Sequence, residues 1–445
     1  MLFLRRLLYL PVLKSFYNEV FSDKLRPFGK WWLFIILVII FIPHIFISYG
    51  LIDESVMSDL HGRVIGSRLL EAKRPCYFFE WKAGDDPKLF DPNISFAYGL
   101  NGVTVTPFML WLQLPLMQKS FCEIKFWWWV LEELLLFATL LFTWFISENR
   151  LKQIFTILLS CFFFCYSRNW WLHIYNGQYY ILFGYFFSLS AYLQRRNGSV
   201  ALFAYPFAIL LRPFFIISII PLLIKHFSSG IRWLFLGSLI SLLLFIGSGT
   251  YRHIPEYTKA MGLYSSEVTG WSNIAVKSTE TDKPIILEKC VMKITTAKDF
   301  GAGCLFAVQH YFKLFGVVIS NPYFFSTLLI LVLIFVLWLS GINKSMDNDI
   351  LLLISFLLYI VCELFTPANR NPYNMIQYLG ILGLFVNRAS GFTLSLFTIG
   401  LLFNHDFPFR FQYQRELGEG LILLSIFLVI LSSNKKLIFV NKLFG

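Results

Sequence analysis

Apolar residues run along this chain in long blocks separated by short polar intervals, from about residue 31 to residue 432. A helix needs about 20 mostly apolar residues to cross a bilayer. The segment 31–49 meets that length by itself. Further blocks follow at 103–118, 126–146, 152–167, 178–194, 200–224, 232–247, 322–340, 350–366, 373–387, 391–404 and 419–432. Several are short for a straight crossing and are expected to be tilted, broken or re-entrant. The pattern predicts an all-α polytopic membrane protein with about 12 transmembrane or re-entrant helices.

Three polar stretches interrupt the blocks, at 50–102, 248–310 and 404–420. Loops of this length are uncommon unless they carry function or structure of their own. The first predicts a helix over 58–73, then turns at Asp85-Asp86-Pro87 and Asp91-Pro92. An amphipathic helix is expected at 305–316. Residues 1–30 read as a cytoplasmic interfacial segment, because 1–21 has a short apolar core and no small-residue cleavage site. Residues 31–445 read as a single membrane domain with outer loops at 50–102 and 248–321.

Composition agrees. Of 445 residues, 57% are hydrophobic and 14% are charged, against about 25% charged in soluble domains. The net charge of +12 is not a nucleic-acid signal, because the basic residues gather at membrane edges. Arg5, Arg6, Lys14, Lys24, Arg26 and Lys30 precede the first span, and Lys435, Lys436 and Lys442 follow the last. The positive-inside rule then puts both termini in the cytoplasm and the 50–102 loop outside. In the middle, a break at Arg212-Pro213 would make 200–224 a re-entrant hairpin, with Arg195-Arg196 and 225–232 inside and 168–178 outside. Among the cysteines, Cys161 and Cys165 lie one helical turn apart in an apolar run, and Cys290 and Cys304 share a loop where a disulfide can form in an oxidising space.

The first outer loop opens Asp53-Glu54-Ser55-Val56-Met57-Ser58-Asp59-Leu60-His61-Gly62-Arg63. A carboxylate at a membrane surface can act as general base on a hydroxyl. Asp59 and Arg63 are spaced to share a helix face. Asp53 and Glu54 are secondary acidic candidates. Charged residues in apolar segments are costly and functional by default. Arg212, between Ala208-Ile209-Leu210-Leu211 and Phe214-Phe215-Ile216, is the clearest case. Arg168 lies beside Trp170-Trp171, and Arg370 lies in Pro367-Ala368-Asn369-Arg370-Asn371-Pro372-Tyr373. A guanidinium pairs with phosphate in bidentate fashion, which suits all three. His173 and His310 sit at span edges as donor or acceptor ligands, and His44 inside span one reads as a packed residue. There is no HExxH, GxSxG or P-loop pattern, so zinc proteolysis, serine acyl transfer and ATP hydrolysis have no support.

The run Asp59-Leu60-His61-Gly62-Arg63-Val64-Ile65-Gly66-Ser67-Arg68-Leu69-Leu70, followed by Pro75-Cys76-Tyr77, resembles the first loop of polyprenyl-phosphate-dependent glycosyltransferases of the GT-C fold. The type is that of the α-1,2-mannosyltransferase-like family. Thr106-Pro107 and Leu114-Pro115-Leu116 stand where that family opens and closes its second span. Asn176-Gly177-Gln178, Leu211-Arg212-Pro213 and Phe365-Thr366-Pro367 with Tyr373-Asn374 match three later motifs in order. His61-Gly62 replace the family's usual aromatic, one proline stands for two, and no His-His follows Tyr373-Asn374.

The resemblance implies an inverting glycosyltransferase, with mannose as one donor sugar. It would act from a polyprenyl-phosphate donor on a glycolipid or glycan hydroxyl at the outer face of a bacterial plasma membrane. Asp59 is then the expected base. Arg63, Arg168, Gln178, Arg212, His310, Arg370, Tyr373 and Asn374 are the expected donor- or acceptor-binding residues. No metal or other cofactor is expected, and the partners are the lipid-linked donor, the acceptor and the bilayer, with no nucleic acid. The rival expectations are a lipid-linked polysaccharide polymerase or ligase, and a polytopic transporter or flippase.

Overall fold

The structure is a computed structural model that describes residues 27–55, 57–82, 84–90, 103–196, 199–269, 330–331, 346–364, 370–405, 407 and 413–433. His310, Cys290, Cys304, the 305–316 segment and nearly all of the 322–340 block lie outside the described residues. The chain forms two compact units, Met1–Gly50 and Leu51–Gly445. Among the described residues the fold is helical throughout, without strands.

Helix α1 spans Pro27–Glu54 and carries Pro43 inside it. In the first unit Ile35, Ile39, Ile42 and Phe46 of this helix are exposed, as expected of a surface whose solvent is hydrocarbon.

The second unit begins, after α1, with α2, Ser58–Glu71. The second apolar block becomes α3, Pro107–Gln113, and a 3-10 turn Leu114–Leu116. Helix α4, Phe121–Phe145, opens with a capping box between Ser120 and Glu123. Helix α5, Arg150–Ser160, runs into a π turn at Cys161–Cys165, followed by α6, Arg168–Tyr175, and α7, Tyr180–Arg196. A 3-10 turn Val200–Phe203 leads to α8, Tyr205–Leu211. The chain then breaks at Arg212-Pro213, where Arg212 is extended at φ −148°, ψ 104°. The short α9, Phe215–Ser218, and the long α10, Ile220–Gly247, follow. Helix α11 is Ile254–Thr269 and α12 is Asn348–Leu364. A 3-10 run Pro372–Ile381 continues as α13, Leu382–Arg388, before α14, Gly391–Asn404, and α15, Gln414–Ser432.

Among the described residues three helices are long and apolar enough to cross a membrane: Ile35–Asp53, Phe121–Phe145 and Ile220–Gly247. The structure departs from the hydropathy pattern at 225–232, the polar interval between the 200–224 and 232–247 blocks. It is helical, with one kink at His226. The reason is packing. A Cβ at Gly230 would collide with Leu202 and one at Gly237 with the Phe203 carbonyl. The glycines two turns apart make a shallow face that accepts the Val200–Phe203 turn, so the small residues mark a contact rather than a turn. The 373–387 block differs too. Its first half is a 3-10 run, and 3-10 runs longer than three or four residues are uncommon. Within it Gly380 lies against the Gly184 backbone, where a Cβ would overlap the Gly184 carbonyl. That close approach joins the run to α7 and sets the depth of its polar side chains.

Candidate functional site

The start of α2 is pinned to the turn between α6 and α7. Met57, in the left-handed region at φ 46°, donates its N–H to the Tyr175 carbonyl at 2.9 Å. The Asp59 N–H donates to the Asn176 carbonyl at 3.2 Å. Gly177 holds a φ of +64°, and a Cβ there would press on the Leu60 Cβ. Glycine is the residue that permits both the turn and the approach.

These backbone contacts bring together two motifs more than a hundred residues apart. The Gln178 side-chain amide donates to Asp59 Oδ2. One helical turn on, Arg63 donates to the Gly177 carbonyl. Its guanidinium lies 4.9 Å from the Trp128 ring centroid and 5.1 Å from that of Tyr179. The Trp128 indole N–H in turn donates to the Gln178 carbonyl at 3.3 Å. Arg63 is 2% exposed, and no carboxylate among the described residues lies within ion-pair distance of it. Asp59 and Glu132 both act on it electrostatically. Asp59 itself is half-buried and so can be reached.

Tyr373 completes this side of the site. Its hydroxyl accepts from Asn371 Nδ2 at 2.7 Å and pairs with the Gln178 amide, within the field of Asp59. Its ring sits 5.7 Å from that of Tyr180. Asn374 is buried, and its Oδ1 accepts from no described group.

Across Tyr180 lies a second charged group. Arg212 lies over the Tyr180 and Phe183 rings at 5.1 and 5.0 Å and pairs with Glu363 at 2.6 Å. Glu363 also accepts from the Tyr359 hydroxyl at 2.5 Å and from Gln377 Nε2 at 2.8 Å, and stands 3.9 Å from Arg370. Arg370 forms a two-pronged bond with Glu419 at 2.6 and 2.7 Å. The Tyr378 hydroxyl donates to the same carboxylate at 2.8 Å. Arg212 and Arg370 thus meet on one acid, and each arginine has a protein carboxylate as counter-charge.

Arg168 is exposed at the start of α6, outside this buried group. Asp53 is exposed too and lies in the field of Lys125, whose ammonium donates to the Ser55 carbonyl at 2.6 Å. The Glu54 side chain and His310 lie outside the described residues. Among the described residues no three His, Cys, Asp or Glu side chains are grouped to hold a metal ion.

The site also holds residues that the sequence reading passed over. Glu132, Glu363 and Glu419 are all buried. His173 Nδ1 faces Glu132 Oε2 at 3.3 Å, and its Nε2 accepts the Ile181 N–H at 3.3 Å. Burial, and then the Arg63 charge, push the His173 imidazole down to about 3, so the ring is neutral. Burial, followed by the Arg68 charge, does the same to His61. The signal for the three glutamates was present: each is an acid within or beside an apolar block, and intramembrane ionisable residues mark functional sites.

No protein-family model, curated protein or solved structure matches the chain.

Proposed function

We propose that this chain is a polytopic membrane glycosyltransferase of the GT-C type, transferring a sugar from a polyprenyl-phosphate donor to a hydroxyl on the extracytoplasmic face. The observation that carries the reading is the meeting of Asp59 with Gln178, Arg63 and Tyr373. Residues from separate motifs of the resemblance surround one reachable carboxylate. In the reaction the Asp59 carboxylate takes the proton of the acceptor hydroxyl as that oxygen bonds to the anomeric carbon. The carbon–oxygen bond to phosphate breaks, and its electron pair leaves on the lipid phosphate. Gln178 and Tyr373 orient Asp59. Of Arg63, Arg212 and Arg370, Arg212 is the one with surface to offer, its side chain 14% exposed against 2% for Arg370, and it meets the donor phosphate.

Cys122, in the first turn of α4, is disulfide-bonded. Disulfides persist in oxidising spaces, and this helix end adjoins α2 through the Arg68 bond to the Lys119 carbonyl at 3.2 Å. Both features favour the extracytoplasmic side for Asp59.

The test is Asp59→Asn in proteoliposomes supplied with polyprenyl-phosphate mannose and a short mannoside acceptor. Asparagine can still accept from Gln178, so folding is retained. A general base contributes about 10²–10⁴-fold, so transfer falls at least about a hundredfold. Asp53→Asn and Glu54→Gln have smaller effects. Wild-type transfer by Asp59→Asn would remove Asp59 as the base.

One observation favours a second reading, a coupled transporter. The buried Arg212–Glu363–Arg370–Glu419 chain resembles in composition the charge relays of membrane pumps. Proton-driven uptake into sealed vesicles without sugar transfer would decide for it.

A further inference from the structure

We propose that Glu363 tells the sugar-loaded lipid from the spent one, by competing with lipid phosphate for Arg212. The inference rests on the reading of Arg212 given above. Transfer changes the charge of the lipid. The donor is a phosphodiester with a single negative charge. When the bond to the anomeric carbon breaks, its electron pair stays on the phosphate. The product is then a monoester carrying about two negative charges at pH 8. A buried guanidinium acting alone would hold this product more tightly than the donor, and turnover would stall on it.

The two oxygens of Glu363 face different cations. Oε1 stands 2.6 Å from Arg212 Nη2 and accepts from the Tyr359 hydroxyl at 2.5 Å. Oε2 accepts from Gln377 Nε2 at 2.8 Å and lies 3.9 Å from Arg370 Nη2. When Arg212 turns to a phosphate, Glu363 therefore keeps Tyr359, Gln377 and Arg370. Leaving a buried charge without any partner is costly, and here the exchange leaves none. Arg370 does not serve as the phosphate seat. Its two-pronged bond to Glu419 at 2.6 and 2.7 Å occupies it, and its side chain is 2% exposed. Arg212 is the opposite case. Glu363 is its one ion-pair partner among the described residues, and its guanidinium otherwise lies over the Tyr180 and Phe183 rings. A displaced Glu363 is still held beside the seat by its other three partners. Its charge then repels the bound phosphate in proportion to the charge on that phosphate. The monoester feels about twice the repulsion that the diester feels, so the spent lipid leaves and the loaded one stays.

The experiment is equilibrium binding to the purified protein in detergent micelles at pH 8. The probes are farnesyl phosphate as the monoester, its methyl ester as the diester, and farnesol as the neutral control. Glu363→Gln keeps the shape and an acceptor for Tyr359 but removes the competing charge. It binds the diester about threefold and the monoester about tenfold more tightly than wild type, since the repulsive energy scales with ligand charge. Farnesol binding stays the same. A purely structural role for Glu363 would weaken all the probes. If Glu363→Gln does not fold, Glu363→Asp is read in its place. It keeps the buried charge but draws the carboxylate back from Arg212, and it tightens the monoester more than the diester. A monoester bound no more tightly than by wild type, or the two phosphates tightened equally, overturns the inference. Arg212→Gln separates this from the underlying reading. If it leaves both phosphates bound as in wild type, Arg212 is not the phosphate seat and the inference falls with it. If it weakens both while the Glu363 variant shows no preference for the monoester, the inference alone is refuted.

Discussion

Glu419→Gln is the most informative change to the buried charge chain. Arg370 is held by two short bonds to Glu419, and its next carboxylate, on Glu363, is 3.9 Å away and already committed to Arg212. Glutamine keeps the shape and one acceptor for the Tyr378 hydroxyl but removes the counter-charge. Breaking a buried pair from one side costs about 3–5 kcal/mol, because an uncompensated charge stays inside. The residual attraction of Glu363 places the expected loss near the lower end, about 3 kcal/mol. Asp85→Asn is the control. Its partner Arg74 is 3.5 Å away, with the two side chains 45% and 27% exposed, so the change should cost under about 1 kcal/mol. Arg370→Met with Glu419→Leu together should recover most of the loss, since an apolar pair replaces a buried ion pair at little cost. Equilibrium unfolding in mixed micelles reads all three. A Glu419→Gln within about 1 kcal/mol of wild type, or a double variant as damaged as the two single changes combined, would refute a buried, mutually dependent pair.

Two further outcomes follow from the site. His61 and His173 are neutral when folded, each pushed down to about 3, chiefly by burial, whereas an unfolded histidine titrates near 6.5. Their contribution is complete above pH 6.5 and is lost as pH falls from there towards 3, at about 1.4 kcal/mol per pH unit for each ring. Unfolding at pH 5 should take up about two protons from solvent, one onto each ring, and His61→Phe should remove one; no difference in uptake between the two proteins would contradict the burial argument. Separately, a cysteine replacing the exposed Lys88 should react with an impermeant maleimide in intact cells. Reaction only after permeabilisation would place the 50–102 loop on the cytoplasmic side.

Spacing and order along the chain single out Asp59, Arg63, Gln178 and Tyr373 as candidates because each stands in a short motif. They do not reach the contacts among them. Nothing local in Asp59-Leu60-His61-Gly62 says that its partner is the amide of Gln178, and that pairing depends on the left-handed turn at Gly177 folding back under Leu60. Hydropathy finds most of the apolar blocks but not their internal state. The polar run at 225–232 looks like a connection, yet Gly230 and Gly237 are small because Leu202 and Phe203 pack there. The block at 373–387 looks like an ordinary span, yet the contact between Gly380 and Gly184 belongs to a 3-10 run. The arginines stood out as costly charges in apolar surroundings. Their partners Glu363 and Glu419 are equally costly, and considering either sign alone leaves half of each pair unseen.

The charges of the site divide into two kinds, and the division bears on mechanism. Arg212 and Arg370 face Glu363 and Glu419, two cations against two anions, so that group is balanced as it stands. Around Arg63 the arrangement differs. Its guanidinium donates to the Gly177 carbonyl and lies against the Trp128 and Tyr179 rings, with no carboxylate of the described residues in ion-pair distance. Asp59, one helical turn before it, is half-buried, whereas Glu132, Glu363 and Glu419 are at most 1% exposed. Asp59 is therefore the acid of this group that a hydroxyl from outside can reach, while the balanced Arg370–Glu419 pair is closed off from such a partner. The proposed mechanism needs that division: a buried, paired carboxylate holds structure, and a half-buried one is left to take a proton.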